Sequence, residues 1–190
     1  MRDYLYIWHD PVKRCVVASG IEFKDFLPFL SGKGGVVLLE HQSDEAELDV
    51  QSGFDYFSNQ TISKLINEDI YSWGNFAWAD YTAESLPAIP DQEIAELLYF
   101  AHRTKPLTSP AFPSLNNNFL AFAHDDGWYL RLYYNNWRYI EDFLHSIPHT
   151  LGSISSTELE SGVHGYWLQA GVTSVEVKTD DVDSILNRRL

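Results

Sequence analysis

Residues 119–147, FLAFAHDDGWYLRLYYNNWRYIEDFLHSI, form two alternating segments that meet at Asp126-Gly127 and then pass into a helical period. Asp-Gly readily supplies the positive φ angles of a tight hairpin turn, and a loop of two or four residues here leaves the same side chains on the same faces. On that pairing Phe119, Ala121, Ala123, Leu130, Leu132 and Tyr134 share one face. Alanines beside leucines leave room for a helix to cross it, and Trp137, Ile140, Phe143, Leu144 and Ile147 supply one at roughly helical spacing. The other face carries Leu120, Phe122, His124, Tyr129, Arg131 and Tyr133. It is aromatic with one cation, which suits either a second core layer or a binding surface.

Towards the N-terminus, residues 4–8 and 14–18 read as a hairpin turning at Asp10-Pro11, apolar on both faces and so placed inside the sheet. Ser19 and Glu22 have the spacing of a capping box, which predicts a helix with Phe23, Phe26, Leu27 and Leu30 on its buried side and Pro28 shortening it. Gly32-Lys33-Gly34-Gly35 then leads into a strand over 36–40. The order helix, loop, strand, with no hydroxyl after the lysine, is not that of a phosphate-binding loop. Residues 41–49, HQSDEAELD, read as an acidic connection, and Ile62, Leu65 and Ile66 as a helix starting near Ser58. In the strand over 75–81, Phe76, Trp78 and Asp80 share one face and Ala77, Ala79 and Tyr81 the other.

Pro90 opens a helix striped by Ile94, Leu97, Leu98 and Ala101, and residues 104–118, with three prolines, form a long loop of the kind that usually serves function or mobility. Beyond the central helix, 166–170 and 173–178 suggest a hairpin turning at Gly171, and Asp180 caps a last helix. Hairpins and single strands each followed by a helix predict an α+β domain spanning 1–190. Its sheet is mostly antiparallel and built from β-hairpins, with helices packed on one face.

The 190 residues are 45% hydrophobic and 15% aromatic, enough to build one sizeable core. Thirteen basic against 27 acidic residues give a net charge of −14, which argues against nucleic acid or anionic membrane as a partner. The excess is concentrated: residues 40–96 hold 13 acids and one base, Lys64. Cys15 is the only cysteine, so neither an intramolecular disulfide nor a cysteine-rich zinc site can form, and a reducing compartment fits. The first residues, MRDYLYIWHDP, meet charge before an apolar signal region can form, and no apolar run approaches the roughly 18 residues of a membrane span. The expectation is a cytoplasmic, soluble chain, in which the glycosylation pattern Asn59-Gln60-Thr61 has no meaning.

Histidine meets carboxylates best at His124-Asp125-Asp126, where a hairpin tip could present a catalytic base or a metal. Turn chemistry alone also explains Asp-Asp-Gly. His145 and His149 are four apart, but Pro148 lies between them and no glutamate follows the first. Cys15 lies in an apolar strand, where a thiol is normally inert, and nucleophile-elbow and dinucleotide-loop motifs are absent. Nothing calls for a cofactor or a metal, and the balance is against an enzyme. One alternative stands: a small-molecule-binding protein or hydrolase with a pocket beside the 119–134 hairpin, using Tyr129, Arg131 and Tyr133 with His124.

The reading that draws on more of the chain is recognition of a basic protein. Its acidic segment interleaves charge for steering with aromatic anchors, and Asp44, Glu45, Glu47, Asp49, Trp73, Trp78 and Asp80 are its expected binding residues. In size, acidity, single-domain build and aromatic content the chain is similar to bacterial immunity proteins that cover cationic nuclease toxins. That likeness is one of physical type and carries over no residues. The sequence leaves the oligomeric state open.

Overall fold

Both faces of the central strands are apolar, so a sheet built from them needs cover on each side. The computed structural model describes residues 6–19, 21–39, 43, 45–67, 76–82, 86, 88–103, 109–124, 129–146 and 166–167. In chain order these form β1 (Tyr6–Asp10), β2 (Cys15–Ser19), α1 (Phe23–Leu30), β3 (Gly35–Leu38), β4 (Glu47–Asp49), β5 (Phe54–Phe57) and α2 (Ile62–Asn67). There follow β6 (Phe76–Tyr81), α3 (Asp91–Arg103), β7 (Phe119–His124), β8 (Tyr129–Tyr134), α4 (Trp137–Ser146) and the two-residue β9 (Tyr166–Trp167). The strands make one antiparallel sheet in the order β4-β5-β3-β6-β7-β8-β2-β1-β9. The fold class is α+β, as the hairpin pattern predicts.

The organising hairpin has the expected register, with Phe119 opposite Tyr134 and His124 opposite Tyr129. The first hairpin also pairs as expected, Trp8 opposite Val17 and Ile7 opposite Ala18, and β2 lies beside β8. One face of the sheet is covered by α1, α2 and α4. There Phe26 stacks on Phe143 at 3.9 Å and meets Trp78 edge-on at 4.9 Å, locking two helices onto β6. Such aromatic pairs add about 0.5–1.5 kcal/mol each beyond the area they bury.

The helices do not all share that face. α3 packs on the opposite side, where Phe100 meets Phe122 and Tyr133 edge-on at 5.6 and 5.7 Å. The physical reason lies in the strands: Ala77, Ala79, Leu120 and Phe122 form a second apolar surface that would otherwise face water. The aromatic second face of the organising hairpin is thus a core layer at Leu120, Phe122 and Tyr133.

One local signal moved. The capping box of α1 joins Glu22 and Asp25 rather than Ser19 and Glu22, with the Glu22 N–H donating to Asp25 Oδ2 at 2.7 Å. Pro28 lies inside α1, where its missing N–H gives up one intrahelical hydrogen bond in a helix that ends two residues later. The Gly34-Gly35 pair serves close packing: a Cβ on Gly34 would stand 2.0 Å from the Tyr81 carbonyl oxygen, and one on Gly35 2.3 Å from that of Phe57.

Residues 109–118 are a tied structure rather than a loose loop. Asn117 is buried, accepts the Phe112 N–H at 2.9 Å and donates to the carbonyls of Pro110 and Phe119, both at 2.9 Å. One amide side chain thereby satisfies three backbone groups that burial would otherwise leave unpaired. Of the hairpin expected over 166–178, only Tyr166 and Trp167 are described, as β9 beside β1, and the last helix lies outside the described residues.

Candidate functional site

Part of the acidic connection is a strand. Its residues 47–49 become β4, the terminal strand of the sheet, paired with β5 through Glu47 opposite Tyr56, Leu48 opposite Asp55 and Asp49 opposite Phe54. The turn between them is set by Asp49, whose Oδ2 accepts the Ser52 N–H at 3.0 Å and the Ser52 hydroxyl. Gly53 closes it at φ +74°, donating its N–H to the Asp49 carbonyl at 2.7 Å. From the same turn the Gln51 amide reaches the Ile89 carbonyl at 3.3 Å, which ties the hairpin tip to the chain just before α3.

Alternation along β4 sorts its side chains. Glu47 and Asp49 share the α3 side with their cross-strand partners Tyr56 and Phe54, and Leu48 points to the other. Tyr56 donates to Glu47 Oε2 at 2.9 Å, and that bond to a carboxylate is the main reason its phenol is pushed up. Glu45 pairs with Lys64 of α2 at 3.2 Å, both exposed, so this bridge is weak. Each acid therefore has a local partner and still keeps its charge at the surface. Two apolar side chains stand among them: Leu48 is 56% and Val50 89% exposed.

Trp78 and Asp80, expected at the binding surface, are interior. Trp78 is packed between Phe23 and Phe26, and Asp80 is 2% exposed, so neither can touch a surface partner. The physical reason is that β6 is a central strand with both faces covered. Asp80 instead accepts the backbone N–H groups of Asn118 at 2.9 Å and Phe119 at 2.6 Å through Oδ1, and the Asn118 side-chain amide at 2.9 Å through Oδ2. Burial pushes its carboxyl up to about 6, against the pull of those three hydrogen bonds. Asp55, in β5, is also fully buried, so the acid count of this segment exceeds its surface charge.

The pocket residues divide as well. Tyr133 is buried beneath Phe100, and Tyr129 and Arg131 are half-buried along the same strand. Burial pushes the Cys15 thiol, opposite Tyr133, up to about 12, which keeps it protonated and unreactive. His124 ends β7, while Asp125 and Asp126 lie outside the described residues, as do Asp44 and Trp73.

A second histidine with a carboxylate neighbour, His9 beside Asp10, is held between elements. His9 shares a 2.5 Å hydrogen bond with the Tyr134 hydroxyl and stacks on Trp137 at 4.2 Å. Burial lowers its pKa, against the raising effect of Asp10. It joins β1 to β8 and α4, a structural use. Among the described residues no group of three or more His, Cys, Asp or Glu gathers to hold a metal ion. Among them, too, no helix is long and apolar enough to cross a membrane.

The β4 end of the sheet is thus an acidic strand edge with exposed aliphatic side chains. No protein-family model matches the chain, and no curated protein or solved structure matches it either.

Proposed function

We propose that the protein is an acidic binding module for a basic protein partner, of the same physical type as the immunity or antitoxin proteins it resembles. One observation carries the reading. The β4–β5 hairpin and the turn before it hold Glu45, Glu47 and Asp49 at the sheet's edge around exposed Leu48 and Val50. Exposed charge of one sign speeds encounter with an opposite surface, and apolar side chains among the charges supply area to bury once contact is made. The concentration of acids in residues 40–96 supports it, although Asp55 and Asp80 are withdrawn into the core.

The test is retention of a basic protein from lysate of the source cell at low salt, followed by kinetics with the recovered partner. Replacing Asp44, Glu45, Glu47 and Asp49 together by their amides should slow association about tenfold or more and flatten its salt dependence. Association unchanged by the four substitutions would end the reading.

A further inference from the structure

We infer that β4 takes its partner by strand addition, and that the segment added is extended and alternates basic with apolar residues. This deepens the binding-module reading and rests on it. β4 is the last strand of the sheet, and among the described residues nothing pairs with its outer side. Alternate backbone N–H and C=O groups of a terminal strand point away from its neighbour and form a template for one more strand.

The side chains specify what fits. Glu47 and Asp49 lie on one face of β4 and Leu48 on the other. A strand laid alongside sets its own residues beside these, so it needs cations on the α3 side and an aliphatic residue beside Leu48, which is 56% exposed. Val50, 89% exposed, extends the aliphatic contact past the strand's end. The hydrogen bond from Tyr56 to Glu47 and the Asp49–Ser52 turn hold both carboxylates in place before a partner arrives. A second copy of this chain is a poor occupant: antiparallel pairing of β4 with itself about Leu48 sets Glu47 against Asp49 twice, and like charges directly opposite destabilise a sheet.

The experiment uses the full chain and two peptides. The first is an eight-residue peptide of alternating Lys and Val, blocked at both ends. The second is the same peptide N-methylated at alternate residues, which keeps charge and side chains but removes the donors a ladder needs. Strand addition predicts at least tenfold weaker binding of the methylated peptide at low salt. It also predicts at least tenfold slower amide exchange within residues 47–49 when the unmodified peptide is bound, and at least tenfold weaker binding to a Glu47→Gln/Asp49→Asn double variant. Equal binding of the two peptides, unchanged exchange over 47–49, or no binding of either peptide would overturn the inference. Equal, salt-sensitive binding of both would do so while leaving the acidic-module reading intact, and that reading fails only in the lysate and kinetic test above.

Discussion

Asp80 and Glu47 belong to the same acid-rich stretch, and both sit on antiparallel strands with their carboxylates hydrogen-bonded. On β6, with strands on both sides and helices over both faces, Asp80 is withdrawn from water and fastens the start of β7 through three donors. On β4, with a neighbour on one side only among the described residues, Glu47 stays at the surface and accepts a hydrogen bond from the Tyr56 hydroxyl. Depth in the sheet, and not residue type or local charge density, makes one carboxylate a structural tie and leaves the other at the surface.

The largest effect expected on the central side is from Phe143→Ala. It removes the ring stacked on Phe26 and should cost about 3–5 kcal/mol in urea unfolding. A loss near zero would mean that α4 does not close the first core layer. Asp80→Ala should follow at about 3 kcal/mol, because it strands the buried N–H of Phe119 and the part-buried N–H of Asn118.

Asp80→Asn sharpens the comparison through pH. Burial raises the Asp80 pKa from 3.8 to about 6, so the folded chain holds this proton more tightly than the unfolded chain. Its contribution to stability is therefore full below about pH 4 and is lost as pH rises through about 6, a change of roughly 3 kcal/mol. His9 works in the opposite direction, since its lowered pKa favours the fold above its ordinary range. The difference between wild type and the Asp80→Asn chain isolates the carboxylate, and parallel stability curves from pH 4 to 7 would refute the assignment. The smallest effect belongs to the edge: Glu47→Gln should change stability by no more than about 0.5 kcal/mol, and a larger loss would make Glu47 a structural residue like Asp80.

How much of this was legible depends on how local the signal is. The two hairpins of β1–β2 and β7–β8 could be read because alternation over at least four residues on either side of a turn fixes register and face together. β4 was not legible: it has three residues, of which only Leu48 is apolar, and it is a strand because β5 lies beside it. β5 could have been found from Gly53 followed by Phe54, Asp55, Tyr56 and Phe57, a turn residue and then alternating aromatics. The exposed pair Leu48 and Val50 had no signal, since an isolated aliphatic among acids looks the same buried or exposed.

The sequence by itself determined the α+β class, the faces of the central strands, the helix that crosses the organising hairpin and the excess of acid in one segment. Those follow from periodicity and composition, which are properties of neighbours along the chain. Only the tertiary structure decided that α3 covers the second face, that Asp80 and Trp78 are interior, and that the acidic stretch supplies the sheet's terminal strand. Those depend on strand order, and strand order is set by contacts such as β2 with β8 and β3 with β6 between residues far apart in sequence.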